Sequence, residues 1–245
     1  MEQQEMQQEP ILSKGQLLTA IFTNPSRAFT SLVAKPNWIL PVIIFIIIGI
    51  AAGYLTNAIG VQYMKDKIAS NEKLTEEVKD QALARLEAQQ NSPFKHVQTV
   101  GGVLVFVFVS ILFVAAVFLL TGNFILGGES NYKTMLAVYS WGSMVGVLES
   151  IVKIPMMLAN NSIHAYTSLA VLFDPSQAGT AIFKFADAID IFSLWRVALW
   201  AIGFGIAYKF SKGKSYTAIG LLYVIYVVLY VIISGLLSKL TGGMI

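Results

Sequence analysis

Five runs of twenty or more mostly apolar residues dominate this 245-residue chain. They cover about 37–58, 99–122, 132–158, 191–210 and 216–238. A helix needs about 20 such residues to cross the hydrocarbon core of a bilayer. Strands of a membrane barrel would instead alternate in segments of about ten, and these runs do not alternate. The pattern predicts an all-α polytopic membrane protein with five transmembrane helices. Composition agrees: 56% of residues are hydrophobic and 13% charged, where a soluble domain carries about 25% charged.

The remaining segments predict three amphipathic pieces. Residues 1–36 hold a polar, acidic start, "MEQQEMQQEP", and then "ILSKGQLLTAIFTNPSRAFTSLVAKP". Leu17, Leu18, Ile21 and Phe22 share one helical face, and Phe29, Leu32 and Val33 another, with "NPS" between them. Two short helices are expected there, lying in the interface or capping the bundle. The acidic start is unlike the basic start of a cleavable signal peptide, so the first span is expected to act as an uncleaved insertion signal. Residues 62–90 form a polar insert within the 37–240 membrane domain. In it, Thr75 is placed to cap a water-exposed amphipathic helix. Between the third and fourth spans, Asp174-Pro175 marks a further helix start, with Ala178, Ile182, Phe185 and Ile189 on one face.

Loop charges set an orientation. Lys209, Lys212 and Lys214 follow the fourth span without an acid, whereas Lys184 faces Asp174, Asp187 and Asp190 after the third. Short loops count most in the positive-inside rule, so the N-terminus is expected inside and the C-terminus outside. The long 59–98 segment carries six basic residues and argues the other way. It weighs less because many of them lie far from a span.

Chemistry-bearing motifs are few. The net charge of +3 and the lack of basic runs interleaved with aromatics argue against nucleic acid as a partner. There is no cysteine, which removes disulfides and thiolate chemistry. His96 and His164 lack metal-ligand spacing. Gly101-Gly102 and Gly127-Gly128 lack a phosphate-loop frame and read as a helix start and an inter-span turn. No catalytic, cofactor-binding or metal site is expected.

Two features of the spans do stand out. Gly49 and Gly53 in the first span, and Gly142, Gly146 and Ser150 in the third, repeat at four-residue spacing. Small residues in that pattern let helices approach closely, so both spans are expected inside the bundle or at a self-association face. The third span also carries Glu149 and Lys153, in the favourable i,i+4 order, on the side of its small residues. Arg196, near the start of the fourth span, falls at a similar depth. Glu149 is expected to bridge Lys153 and Arg196 as an inter-helix clamp. Intramembrane charges are also candidates for an ion or substrate path.

Several stretches in this order resemble the Yip family of five-span membrane proteins, and within it the bacterial branch. They are "IFTNPSRAFTSLVAKPNWILP", "TEEVKDQALARLEAQQNSPF", "LGGESNYKTMLAVYSW" and "DIFSLWRVALWAIGFGIAYKFSKGKSYTAI", spread over residues 13 to about 235. Family members commonly carry a proline a few residues after the "YS" of the third span; here the first proline is Pro155. The eukaryotic branch is similar to scaffolds for Ypt/Rab GTPases and vesicle machinery. The resemblance thus implies a non-enzymatic scaffold or membrane-organising protein of the bacterial cytoplasmic membrane, with the bilayer, other membrane proteins or its own copies as partners. The alternative is a small transporter or channel subunit built on Glu149, Lys153 and Arg196.

Overall fold

The computed structural model describes residues 11–240, save the side chains of Pro175 and of residues 238–240. The acidic start at residues 1–10 lies outside them. The described residues form helices and no strand. Five of these helices or helix pairs are long and apolar enough to cross a membrane.

Helices α1 (Lys14–Thr23) and α2 (Pro25–Ala34) form the two expected N-terminal pieces. Ser13 and Gln16 cap α1 reciprocally, as a capping box. Asn24 ends α1 and caps α2 through the Arg27 N–H, and Pro25 takes the first helical position. The first span, α3 (Ile39–Ala69), runs eleven residues past its apolar stretch, because no strong helix breaker precedes the turn after Ala69. Helix α4 (Glu76–Gln90) starts at Thr75, whose hydroxyl oxygen accepts from the Val78 N–H. None of its residues is buried, so its charges form a solvated face.

The second span, α5 (Lys95–Leu120), takes Gly101 and Gly102 into its body and ends in a π turn, Thr121–Ile125. Gly127 then adopts a φ of +67° and the Gly128 N–H returns to the Gly122 carbonyl at 2.8 Å. This closes the expected tight turn with the residue that tolerates left-handed backbone. The third span is α6 (Tyr132–Gly142) and α7 (Val145–Ala159). Two short 3₁₀ turns, Leu169–Leu172 and Pro175–Gln177, lead to α8 (Ala181–Ala188). Thr180 caps α8, so the cap of this helix lies six residues after Asp174. Its buried face is Phe183 and Ala186, while Ile182, Phe185 and Ile189 are exposed, as suits a helix lying against lipid. The fourth and fifth spans are α9 (Ile191–Tyr208) and α10 (Lys212–Leu240).

The chain divides into two compact units, and α3, α5, α9 and α10 contribute to both. The first comprises 11–43, 109–144 and 196–220; the second, 44–108, 145–195 and 221–240. In the first unit Trp141, Phe29, Phe204, Met135 and Val138 are fully buried. Phe118 meets Tyr139, Trp200 and Phe204 edge-on, with ring centroids 5.9–6.0 Å apart. The Trp141 indole N–H donates to the Asn37 carbonyl, anchoring the entry to α3 on α6. In the second unit α4 is strapped to α3 by the Lys65–Glu87 ion pair at 2.9 Å and by Asn57 to Gln90 at 3.2 Å.

Candidate functional site: the broken third span and its charge cluster

The third span is broken at Ser143–Met144, between α6 and α7. Proline is not the cause: Pro155 lies inside α7, which continues through it. A tryptophan side chain packs at the break, where the Tyr139 carbonyl still accepts the Ser143 N–H at 3.0 Å. The Trp200 indole N–H reaches the Tyr139 carbonyl and the Ser143 hydroxyl, both at 3.2 Å. Ser143 donates its own hydroxyl to the same carbonyl at 2.7 Å, and the Met144 N–H falls back to Trp141, three residues away. Gly142 supplies the slot, since a Cβ there would meet the Trp200 ring.

The expected small-residue faces are therefore used unevenly. In the second unit, a Cβ on Gly49 would lie 2.9 Å from Val103, and one on Gly53 3.2 Å from Thr99, so α3 and α5 approach closely along this face. Gly142 is tight against Trp200, but a Cβ on Gly146 would meet nothing within 4 Å. Ser150 turns its hydroxyl back to the Gly146 carbonyl at 2.8 Å. Half of the third span is buried, against about a tenth of the first.

The charges sit on α7. Lys153 meets Glu149 at 2.8 Å, one turn away on its own helix, as the sequence spacing predicts. Its second carboxylate is Asp190, at 3.2 Å. Asp190 is the residue just before α9, so this bond ties the third span to the start of the fourth. Arg196 lies one and a half turns into α9 and is half-buried; it belongs to the first unit, Glu149 and Lys153 to the second.

Asp190 is the hub. Its side chain is 3% exposed, against 22% for Glu149 and 25% for Lys153. One carboxylate oxygen caps α9, accepting from the Phe192 and Ser193 N–H groups at 2.8 and 3.2 Å. The other accepts from the Thr167 hydroxyl and faces Lys153. Next to it, Ser168 bonds Asp187 at 2.8 Å and the Leu169 N–H reaches the Ile189 carbonyl. The loop after the third span is thereby folded back onto the entry to the fourth. Sequence spacing missed this hub. An aspartate directly before an apolar run is a helix-start signal, and it was legible in "AIDIFS"; Thr167, alone in a loop, gave none.

Burial alone would raise the Asp190 pKa, but the Thr167 hydroxyl, the Lys153 ammonium and the Ser193 N–H outweigh it and hold the carboxyl below its ordinary value. A group depressed in the folded state stabilises the fold above its unfolded pKa and loses that contribution as pH falls through the folded one. The thermal midpoint of the detergent-solubilised protein should therefore drop as pH is lowered from about 5 to about 3. Asp190→Asn should flatten that part of the profile. An unchanged slope in the variant would remove Asp190 from the cluster's energetics.

Elsewhere, His96 accepts or donates at 3.0 Å with the Tyr54 hydroxyl, and His164 stacks on Tyr166 and meets Tyr63 edge-on. Among the described residues no three histidine or carboxylate side chains are grouped to hold a metal ion.

Comparison with known proteins matches this architecture. The Yip1 domain model matches residues 19–235. The chain is also similar to the membrane protein YknW of Bacillus subtilis (strain 168), at 26% identity over 230 residues, covering 92% of this chain and 93% of that protein. No solved structure gives a match. The matched region begins within α1 and runs into α10, through every span described above, and the chain belongs to the Yip1 domain family of integral membrane proteins.

Proposed function

We propose that the protein is a non-enzymatic scaffold of the bacterial cytoplasmic membrane, with its N-terminus inside and its C-terminus outside, presenting α1 and α2 as a fixed docking platform. The observation that carries this reading is the way the two helices are seated. Ile21, Ala28 and Phe29 are wholly buried, and Phe29 packs 2.7 Å from where a Cβ on Gly203 would stand. The Leu12 N–H donates to the buried Ser31 hydroxyl at 2.9 Å, tying the start of α1 to α2. Platforms held this firmly keep their outward residues, among them Thr19, Thr23 and Thr30, in a constant arrangement. The charge distribution supports the orientation. Among described residues, the first unit holds eight lysines and arginines against one carboxylate, Glu129; the second holds nine against ten. Basic residues near span ends favour the cytoplasmic side.

Crosslinking in native membranes, followed by purification in detergent, tests the proposal. A discrete partner protein should copurify, and Thr19→Glu with Thr30→Glu should lose it while the protein stays folded. A chain that always purifies alone, or a partner indifferent to both substitutions, overturns the platform. The transporter reading rests on the Glu149–Lys153–Asp190 cluster, in which Asp190 is buried and the other two are partly exposed. It is separated in the same preparation: proteoliposomes should show no proton or ion flux, and a flux abolished by Glu149→Gln would put transport first.

A further inference from the structure

We propose that the first unit carries a binding site for the phosphate headgroup of one anionic phospholipid. A cavity of about 390 Å³ lies where the chain enters the first and third spans. Five alternating spans put the starts of the first and third on the same membrane face. Three lysines line this cavity from separate elements: Lys14 on the first turn of α1, Lys35 just after α2, and Lys133 on the first turn of α6. All three are exposed, and among the described residues none forms an ion pair. Three ammonium groups around one cavity, in a unit with a single described carboxylate, form a site that only an anion neutralises. The first turn of α1 lines the same cavity and adds the positive end of a ten-residue helix.

The rest of the lining selects a lipid over a soluble anion. Leu12 and Leu17 make the floor apolar, and Trp38 stands at the level where indole rings favour the headgroup region. Beyond the cavity, Ile39 and Ile43 on the first turns of α3 are 56% and 48% exposed, which gives acyl chains an apolar track leading from the headgroup. Basic pockets between span ends on the cytoplasmic side are suited to anionic headgroups.

The test uses the full chain, purified in a neutral detergent and titrated with phosphatidylglycerol or phosphatidylcholine under native mass spectrometry. One phosphatidylglycerol should bind in preference to phosphatidylcholine. Lys35→Gln with Lys133→Gln should weaken it about tenfold or more, since each basic residue near the surface contributes about 1 kcal/mol. Lys209→Gln with Lys212→Gln removes the same charge from the same unit outside the cavity, and should leave binding within about twofold. Equal losses in the two doubles, or equal binding of the two lipids, would overturn the site. So would inorganic phosphate that occupies it at the same concentration as phosphatidylglycerol, since the occupant would then be a free anion. The chain's own Glu2, Glu5 and Glu9 are the remaining competitor: if lipid binds only after residues 1–10 are deleted, the cavity serves that segment and the lipid proposal fails. Because all four substituted lysines are exposed, thermal melting of both doubles should match the parent, which separates lost binding from lost fold.

Discussion

Gly142→Ala should cost about 3 kcal/mol or more and sharply lower the yield of folded protein in detergent, whereas Gly146→Ala, one turn further on, should be neutral or stabilising by up to about 1 kcal/mol. The two glycines are indistinguishable by sequence pattern. The difference is what stands beside them: the added methyl at Gly142 falls on the Trp200 ring, and at Gly146 it meets nothing within 4 Å. The clash is expensive because Trp200 cannot step aside cheaply. Its indole N–H is shared between the Tyr139 carbonyl and the Ser143 hydroxyl, and its ring stacks on Tyr139 with centroids 5.1 Å apart. Moving it forfeits those contacts in addition to the overpacking strain. Trp200→Phe should be destabilising alone, yet should reduce the further cost of Gly142→Ala, because the smaller ring vacates part of the slot. Thermal unfolding followed by size-exclusion chromatography gives all four corners of this cycle. Simple additivity of the two substitutions would show that the indole does not occupy the space that Gly142 leaves.

Asp190→Ala should be the most damaging single change in the second unit, again about 3 kcal/mol or more. It removes the cap of α9, worth about 1 kcal/mol. It also strips Lys153 of one of two counter-charges and leaves the Thr167 hydroxyl without its acceptor. Breaking one partner of a buried pair costs about 3–5 kcal/mol in full burial; here Lys153 is a quarter exposed, so solvent screening reduces that contribution. Asp190→Asn keeps an oxygen for the cap and should cost roughly half as much. Glu149→Gln should cost least, because Asp190 still neutralises Lys153 and Glu149 is the more exposed carboxylate. Differential scanning fluorimetry ranks the three. A ranking with Glu149→Gln at the bottom of stability would transfer the hub from Asp190 to Glu149.

The spans were legible because twenty apolar residues in water have no alternative but a membrane. The two N-terminal helices were legible for a different reason, the conflict between a helical apolar stripe and the "NPS" that interrupts it. The Glu149–Lys153 pair followed from spacing alone, since residues four apart on a helix are neighbours whatever surrounds them. The partners of that pair did not follow. Asp190 reaches Lys153 only because the loop after the third span folds back through Ser168 and Asp187, and no periodicity records such a fold. The break in the third span was hidden in the same way. Proline is the usual local cause of a kink, but here an indole from 57 residues away packs at the break, and Pro155 is carried within an unbroken helix. Long-range packing leaves only the slot visible in the sequence, as one glycine among nineteen.

The length of α3 has a mechanical consequence. Thirty-one residues of continuous helix measure about 46 Å, roughly 16 Å more than the hydrocarbon core it crosses. The surplus leaves the apolar layer as a rod, braced along its side by α4 through Lys65–Glu87 and Asn57–Gln90. A flexible tether would let whatever meets α4 wander over a wide volume. A braced mast instead holds α4 at one level along α3, and helical rise sets that level.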